Sequence, residues 1–102
     1  MNEWQAETIA TITRNYPFDR QREIFTEKCA ELIRAVQHAK TGGSTITTYN
    51  DFINALAAVS VMVDEMTAYI GEQVLEKSRT RFLDSQLIQL YRETAQTERN
   101  TT

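Results

Sequence analysis

Apolar residues recur along this chain at intervals of three and four, and the recurrence is broken at only three places: Pro17, the Gly42-Gly43 pair and Gly71. A period near 3.6 marks helices with one buried face, and proline and glycine are the residues that interrupt them. The pattern predicts four helices and an all-α fold. The first, about residues 2–14, puts Trp4, Thr8 and Ile12 on one thin stripe, so it must lean on another element. Pro17 ends it. Asp19 is the N-cap candidate for a second helix running to about Ala39, because its carboxylate can accept a bond from an orphaned N–H two or three residues on. The core stripe of that helix is Phe25, Cys29, Leu32, Ile33 and Val36, and Gly42-Gly43 stops it.

A Ser/Thr-rich loop, Gly42 to Thr48, leads to a third helix from about Tyr49 to Ile70, with Thr47 or Thr48 as its cap. Its predicted core face is Phe52, Leu56, Val59, Val63, Met66 and Ile70. The flanking side holds Asp51, Ala55, Ala58, Met62, Glu65 and Tyr69, where two alanines leave a notch that a neighbouring helix or a second subunit can approach closely. Residues 73–92 form a fourth helix with a broader apolar face of Leu75, Phe82, Leu83, Leu87 and Leu90. The organisation expected is one helical domain over residues 1–92 and a polar tail over 93–102 that frays.

Composition narrows the class. The chain has 102 residues with eleven Lys and Arg against fourteen Asp and Glu, a net charge of −3, which argues against nucleic acid or an anionic membrane as partner. A local basic patch is all the charge leaves room for. A chain this short buries roughly 60 to 70% of its unfolded surface, so its core is thin and self-association would help it. The lone cysteine makes no internal disulfide. The sequence reads as having no apolar run of about 18 residues and no signal-peptide pattern, so the expected location is cytoplasmic.

Chemistry-bearing residues gather on the second helix, where Glu27, Glu31, Arg34 and His38 share one side. A Glu pair four residues apart can share magnesium, which takes one or two protein carboxylates and leaves its other positions to phosphate and water. The same residues also suit a solvated face with local pairing of Glu31 to Arg34 or His38. No second His or Cys stands at zinc-ligand spacing, and no Ser-His-Asp or Cys-His order supports a nucleophilic enzyme. Cys29 lies on the core stripe and reads as an inert thiol. Lys77, Arg79 and Arg81 form the basic cluster of the fourth helix, able to meet phosphate or simply to be solvated.

Taken together, these segments resemble the all-α nucleoside-triphosphate pyrophosphohydrolases of the MazG-like superfamily, in the short single-domain form frequent in phages and prophages. Glu3-Trp4-Gln5, with Thr11 or Thr13 ahead of Tyr16-Pro17, is similar to the family's opening helix. Glu27-Lys28-Cys29-Ala30-Glu31-Leu32-Ile33 resembles its Glu-Glu-x-Ala-Glu-Leu stretch, the ExxE motif. Asn54-Ala55-Leu56-Ala57-Ala58-Val59 lies without a gap where the family has Glu-Glu-Leu-Ala-Asp-Val, the ExxD motif, and Met62 and Asp64 follow in register. Arg79-Thr80-Arg81-Phe82-Leu83-Asp84 is similar to the basic segment of the last helix, which in the family helps hold the triphosphate.

The resemblance implies a four-helical bundle completed by dimerisation. In the family, acids on helices two and three hold the magnesium that neutralises the phosphates and helps generate the attacking water. Here Glu31 matches, while Lys28 replaces the first Glu of ExxE and Ala55 and Ala58 replace the acids of ExxD. The favoured expectation is a catalytically silent relative, a nucleotide-binding or protein-interaction module without a resident cofactor, with Lys28, Arg79 and Arg81 as phosphate contacts. A magnesium-dependent pyrophosphohydrolase with relocated ligands Glu27, Glu31 and Asp51, Glu31 being the matching metal ligand, is the alternative. A purely structural helical assembly protein is the third reading.

Overall fold

A computed structural model describes the backbone of residues 1–41 and 46–101 and the side chains of residues 1–39 and 47–100. Four α-helices, α1 (Glu3–Asn15), α2 (Phe18–Thr41), α3 (Ile46–Ile70) and α4 (Glu72–Thr101), account for nearly all of it, with no strand among the described residues. The all-α expectation holds. The chain divides into two compact units, Met1–Tyr69 and Ile70–Thr102, where the sequence pattern suggested one domain over residues 1–92.

Helix α1 starts at a capping box that the periodicity did not reveal. The Asn2 side chain accepts from the Gln5 N–H at 2.8 Å while the Gln5 side chain accepts from the Asn2 N–H at 3.2 Å, so two orphan donors are satisfied reciprocally. Its end is where Pro17 demands it. Tyr16 is extended (φ −121°, ψ 138°), the conformation a residue preceding proline prefers.

The start of α2 departs from expectation. Asp19 is not its cap but lies within the first turn, 3.8 Å from Arg22. The Pro17 carbonyl accepts from the Gln21 N–H instead, because proline sets the φ a helix start requires. The Gly42-Gly43 stop lies outside the described residues. Helix α3 is already formed at Ile46, so Thr47 and Thr48 sit inside it and do not cap it.

In the first unit α2 and α3 meet through a face rotated from the one predicted. Met62 is the buried apolar residue, and Gln21 and Glu65 are buried with it. Ile33 and Val36, placed in the core by spacing, are 59% and 45% exposed, and Leu56 and Ile70 are also exposed. Helix α3 is apolar on most sides, so periodicity alone cannot choose its inner face. A polar match marks the inner face. Gln21 Nε2 donates to Glu65 Oε1 at 2.6 Å, a charge-assisted bond that lets both groups leave water. Gln21 Oε1 is buried without a partner among the described residues.

A second polar clasp closes the α1–α2 corner. Tyr69 Oη donates to the Tyr16 carbonyl at 2.7 Å, the Phe18 and Tyr69 rings meet edge to face at 5.5 Å, and Arg20 stacks 3.5 Å over Tyr16. Partial burial and then the Glu65 carboxylate push the Tyr69 phenol above its ordinary 10.0, with Arg20 pulling the other way. A raised pKa means the folded chain holds that proton more tightly than the unfolded one. Its stabilising contribution is therefore complete below pH 10 and lost as pH rises through the elevated value. Ultraviolet titration of the tyrosines should show one late phenol, absent in Tyr69→Phe; four phenols ionising together would contradict this.

Helix α3 also corrects a composition reading. Over residues 47–70 it is 24 residues long and contains an 18-residue stretch with a mean hydropathy of 1.3, long and apolar enough to cross a bilayer by length and composition, contrary to the absence of such a run inferred above. It also carries Glu65, buried and bonded to Gln21 of α2. An ionised group facing lipid would be costly.

The second unit is essentially α4. It runs to Thr101, past the end expected near residue 92. No glycine or proline interrupts residues 93–101, and the Gln89 amide bonds the Glu93 carboxylate one turn on, at 2.9 Å. Gly71 precedes it at φ 106°, a left-handed conformation natural to glycine.

Candidate functional site

Between α2 and α3 lies an open pocket of about 480 Å³. Lys28, Glu31, Arg34, Ala35 and His38 reach it from α2 at helical spacing, and Asp51, Asn54, Ala55 and Ala58 line the other wall. Asp51, Ala55 and Ala58 belong to the notch side named from the sequence, Asn54 does not, and the small alanines leave the space open. Lys28, Glu31, Ala55 and Ala58 are half-buried, whereas Arg34, His38, Asp51 and Asn54 are exposed at the mouth.

Lys28 Nζ lies 3.4 Å from Glu31 Oε2. A half-exposed pair three residues apart on a helix is worth about 0–1 kcal/mol, so it orients the two groups without locking them. The side chains of Arg34, His38, Asp51 and Asn54 have no ion pair or hydrogen bond among the described residues. The guanidinium offers a planar fork of donors and the amide offers both donors and an acceptor. With His38 neutral, two cations face two carboxylates and the formal charges cancel.

A resident magnesium cluster does not fit this residue set. Glu31 and Asp51 line the pocket, but Glu27 is exposed and is not part of the lining. The ammonium of Lys28 stands beside Glu31, where it competes with a cation for the carboxylate. No three His, Cys, Asp or Glu side chains gather as a metal-holding group among the described residues.

The other predicted phosphate contacts lie in the second unit. Arg79 Nε is 3.9 Å from Glu76 Oε2, both well exposed. Arg81 and Lys77 border a shallow depression with Glu76 and Thr80. Cys29 is half-buried. The lining role of Ala35 was not singled out in the sequence, although its position four residues after Glu31 carries the signal. Comparisons with protein-family models, curated proteins and solved structures find no match to this chain.

Proposed function

We propose that the chain is a catalytically silent, MazG-like helical module of the cytoplasm that works as a homo-oligomer and binds a nucleotide, or a protein partner, without a resident metal. The observation that carries this is the Lys28–Glu31 pair beside Ala55 and Ala58. A cation from the chain itself stands where the resemblance calls for a metal-holding acid, and methyl groups stand where it calls for two more. The volume suits a small molecule, since ligand pockets run from roughly 300 to 1,000 Å³. Arg34 and Lys28 supply donors for phosphate, and Asn54 and Asp51 supply groups for a base or sugar.

Pyrophosphate release and thermal unfolding in the presence of each common NTP and dNTP, with and without magnesium, test the proposal. The expected result is no pyrophosphate, little effect of magnesium alone, and a nucleotide-dependent rise in melting temperature that Lys28→Ala with Arg34→Ala removes. A ligand held only by the folded chain adds about 2.7 kcal/mol at a hundred times its Kd, a shift of roughly 10–20 °C for a domain of this size. Magnesium-dependent pyrophosphate release would instead establish the hydrolase reading, which the shared facing of Glu31 and Asp51 favours. No shift with any nucleotide would leave a protein partner or the assembly reading.

A further inference from the structure

Helix α4 forms the second unit almost alone, and a single helix has no interior in which to bury an apolar face. Leu83, Leu87 and Leu90 are 59%, 45% and 55% exposed. Their spacing of four and three continues outward to Thr80 and Thr94, which is the a/d alternation of a coiled-coil seam. With Thr80, Leu87 and Thr94 at a and Leu83 and Leu90 at d, the flanking e and g positions hold Glu72, Lys77, Arg79, Asp84, Gln86, Tyr91, Glu93 and Glu98.

We infer that α4 is a self-association helix that pairs in parallel with α4 of a second copy of this chain through Leu83, Leu87 and Leu90. Charge decides the occupant and its direction. In a parallel pair each g residue faces the e residue of the next heptad on the other helix. Arg79 then meets the partner's Asp84 beside Leu83 on both sides of the twofold axis, while Glu72 meets the partner's Lys77 ahead of the seam, where Gln73 and Glu76 hold the a and d positions. The like-signed Glu93 and the partner's Glu98 come beyond the last leucine, where repulsion costs least. Parallel pairing also stacks all three leucines on their own copies. Either antiparallel register that keeps a against d matches one leucine with a threonine. Phe82 and Ile88 lie outside the seam. The inference deepens the homo-oligomer part of the proposed function and does not depend on what the pocket binds.

Light scattering and disulfide trapping on the full chain test it. The expected mass is twice 11.8 kDa, falling to that of one chain in Leu87→Asp while circular dichroism remains helical. In a Cys29→Ala background, Leu90→Cys should form a disulfide-linked dimer under mild oxidation, since only parallel pairing puts residue 90 against its own copy. Because Leu87→Asp could loosen α4 itself, exposed charges give a second measurement: Arg79→Glu should weaken the dimer at least tenfold at low salt, and adding Asp84→Arg should restore it. A wild-type mass of one chain at tens of micromolar would overturn the inference. So would a dimer insensitive to Leu87→Asp, or one that traps residue 90 only against residue 87. In the last two cases the homo-oligomer reading stands and the seam does not.

Discussion

Replacing Lys28 and Ala55 by Glu and Ala58 by Asp is expected to convert the α2–α3 pocket into a divalent-cation site and to make folding depend on that cation. All three positions line the same pocket as Glu31 and Asp51, so the triple variant gathers five carboxylates around one opening and removes the competing ammonium. Like charges at this separation raise one another's pKa and repel, so the variant without metal should melt below the wild type. Magnesium or manganese should more than restore it, by about 2.7 kcal/mol at a hundred times Kd, whereas the wild type barely responds. Thermal unfolding over a magnesium titration, with calorimetry for stoichiometry, reads this directly. If the variant aggregates at every magnesium concentration, the alanine wall is a packing surface, and the assembly reading displaces the ligand pocket.

Met62→Ala is expected to be the most damaging single truncation in the first unit. Met62 is 6% exposed and is the buried apolar side chain of the described residues. Truncating a core methionine costs about 2–5 kcal/mol, through lost transfer energy and the cavity left behind. Small domains hold only about 5–15 kcal/mol in all. Leu56→Ala, at a position 47% exposed, should cost a fraction of that. Urea unfolding followed by circular dichroism ranks the two. Equal costs, or a larger cost at Leu56, would return α3 to the face first read from its periodicity.

That contrast marks where the sequence was legible. Pro17 and Gly71 punctuate the chain where α1 and α3 end, and the long apolar repeat of α3 is a helix, because breakers and period act locally. Which face of α3 turns inward was not local. It depends on Gln21, forty-four residues away, finding Glu65. The start of α2 was missed for a different reason: Asp19 has the chemistry of a cap, but the proline two residues earlier already fixes the helical φ and offers its carbonyl. At the candidate site, the i, i+3 and i, i+4 spacing put Glu31, Arg34 and His38 on one side of α2, and all three line the pocket. It could not exclude Glu27, which shares the side but does not line the opening. The continuation of α4 to Thr101 went unread because polar residues 93–101 carry no apolar period, although nothing in them breaks a helix.

Trp4 has a consequence of its own. It is the sole indole in the chain, 70% exposed, and it edges a groove of about 500 Å³ between α1 and α3 beside Ile12, Ala57 and Val61. Its emission in the free protein is therefore expected to lie close to that of a solvated indole. Unfolding moves it little, while anything that settles into the groove dries it and shifts its light to the blue. The protein thus carries a fluorophore nearly blind to its own denaturation and responsive to occupation of that groove, so a titration watched through Trp4 separates capture of a partner from loss of structure without any added label.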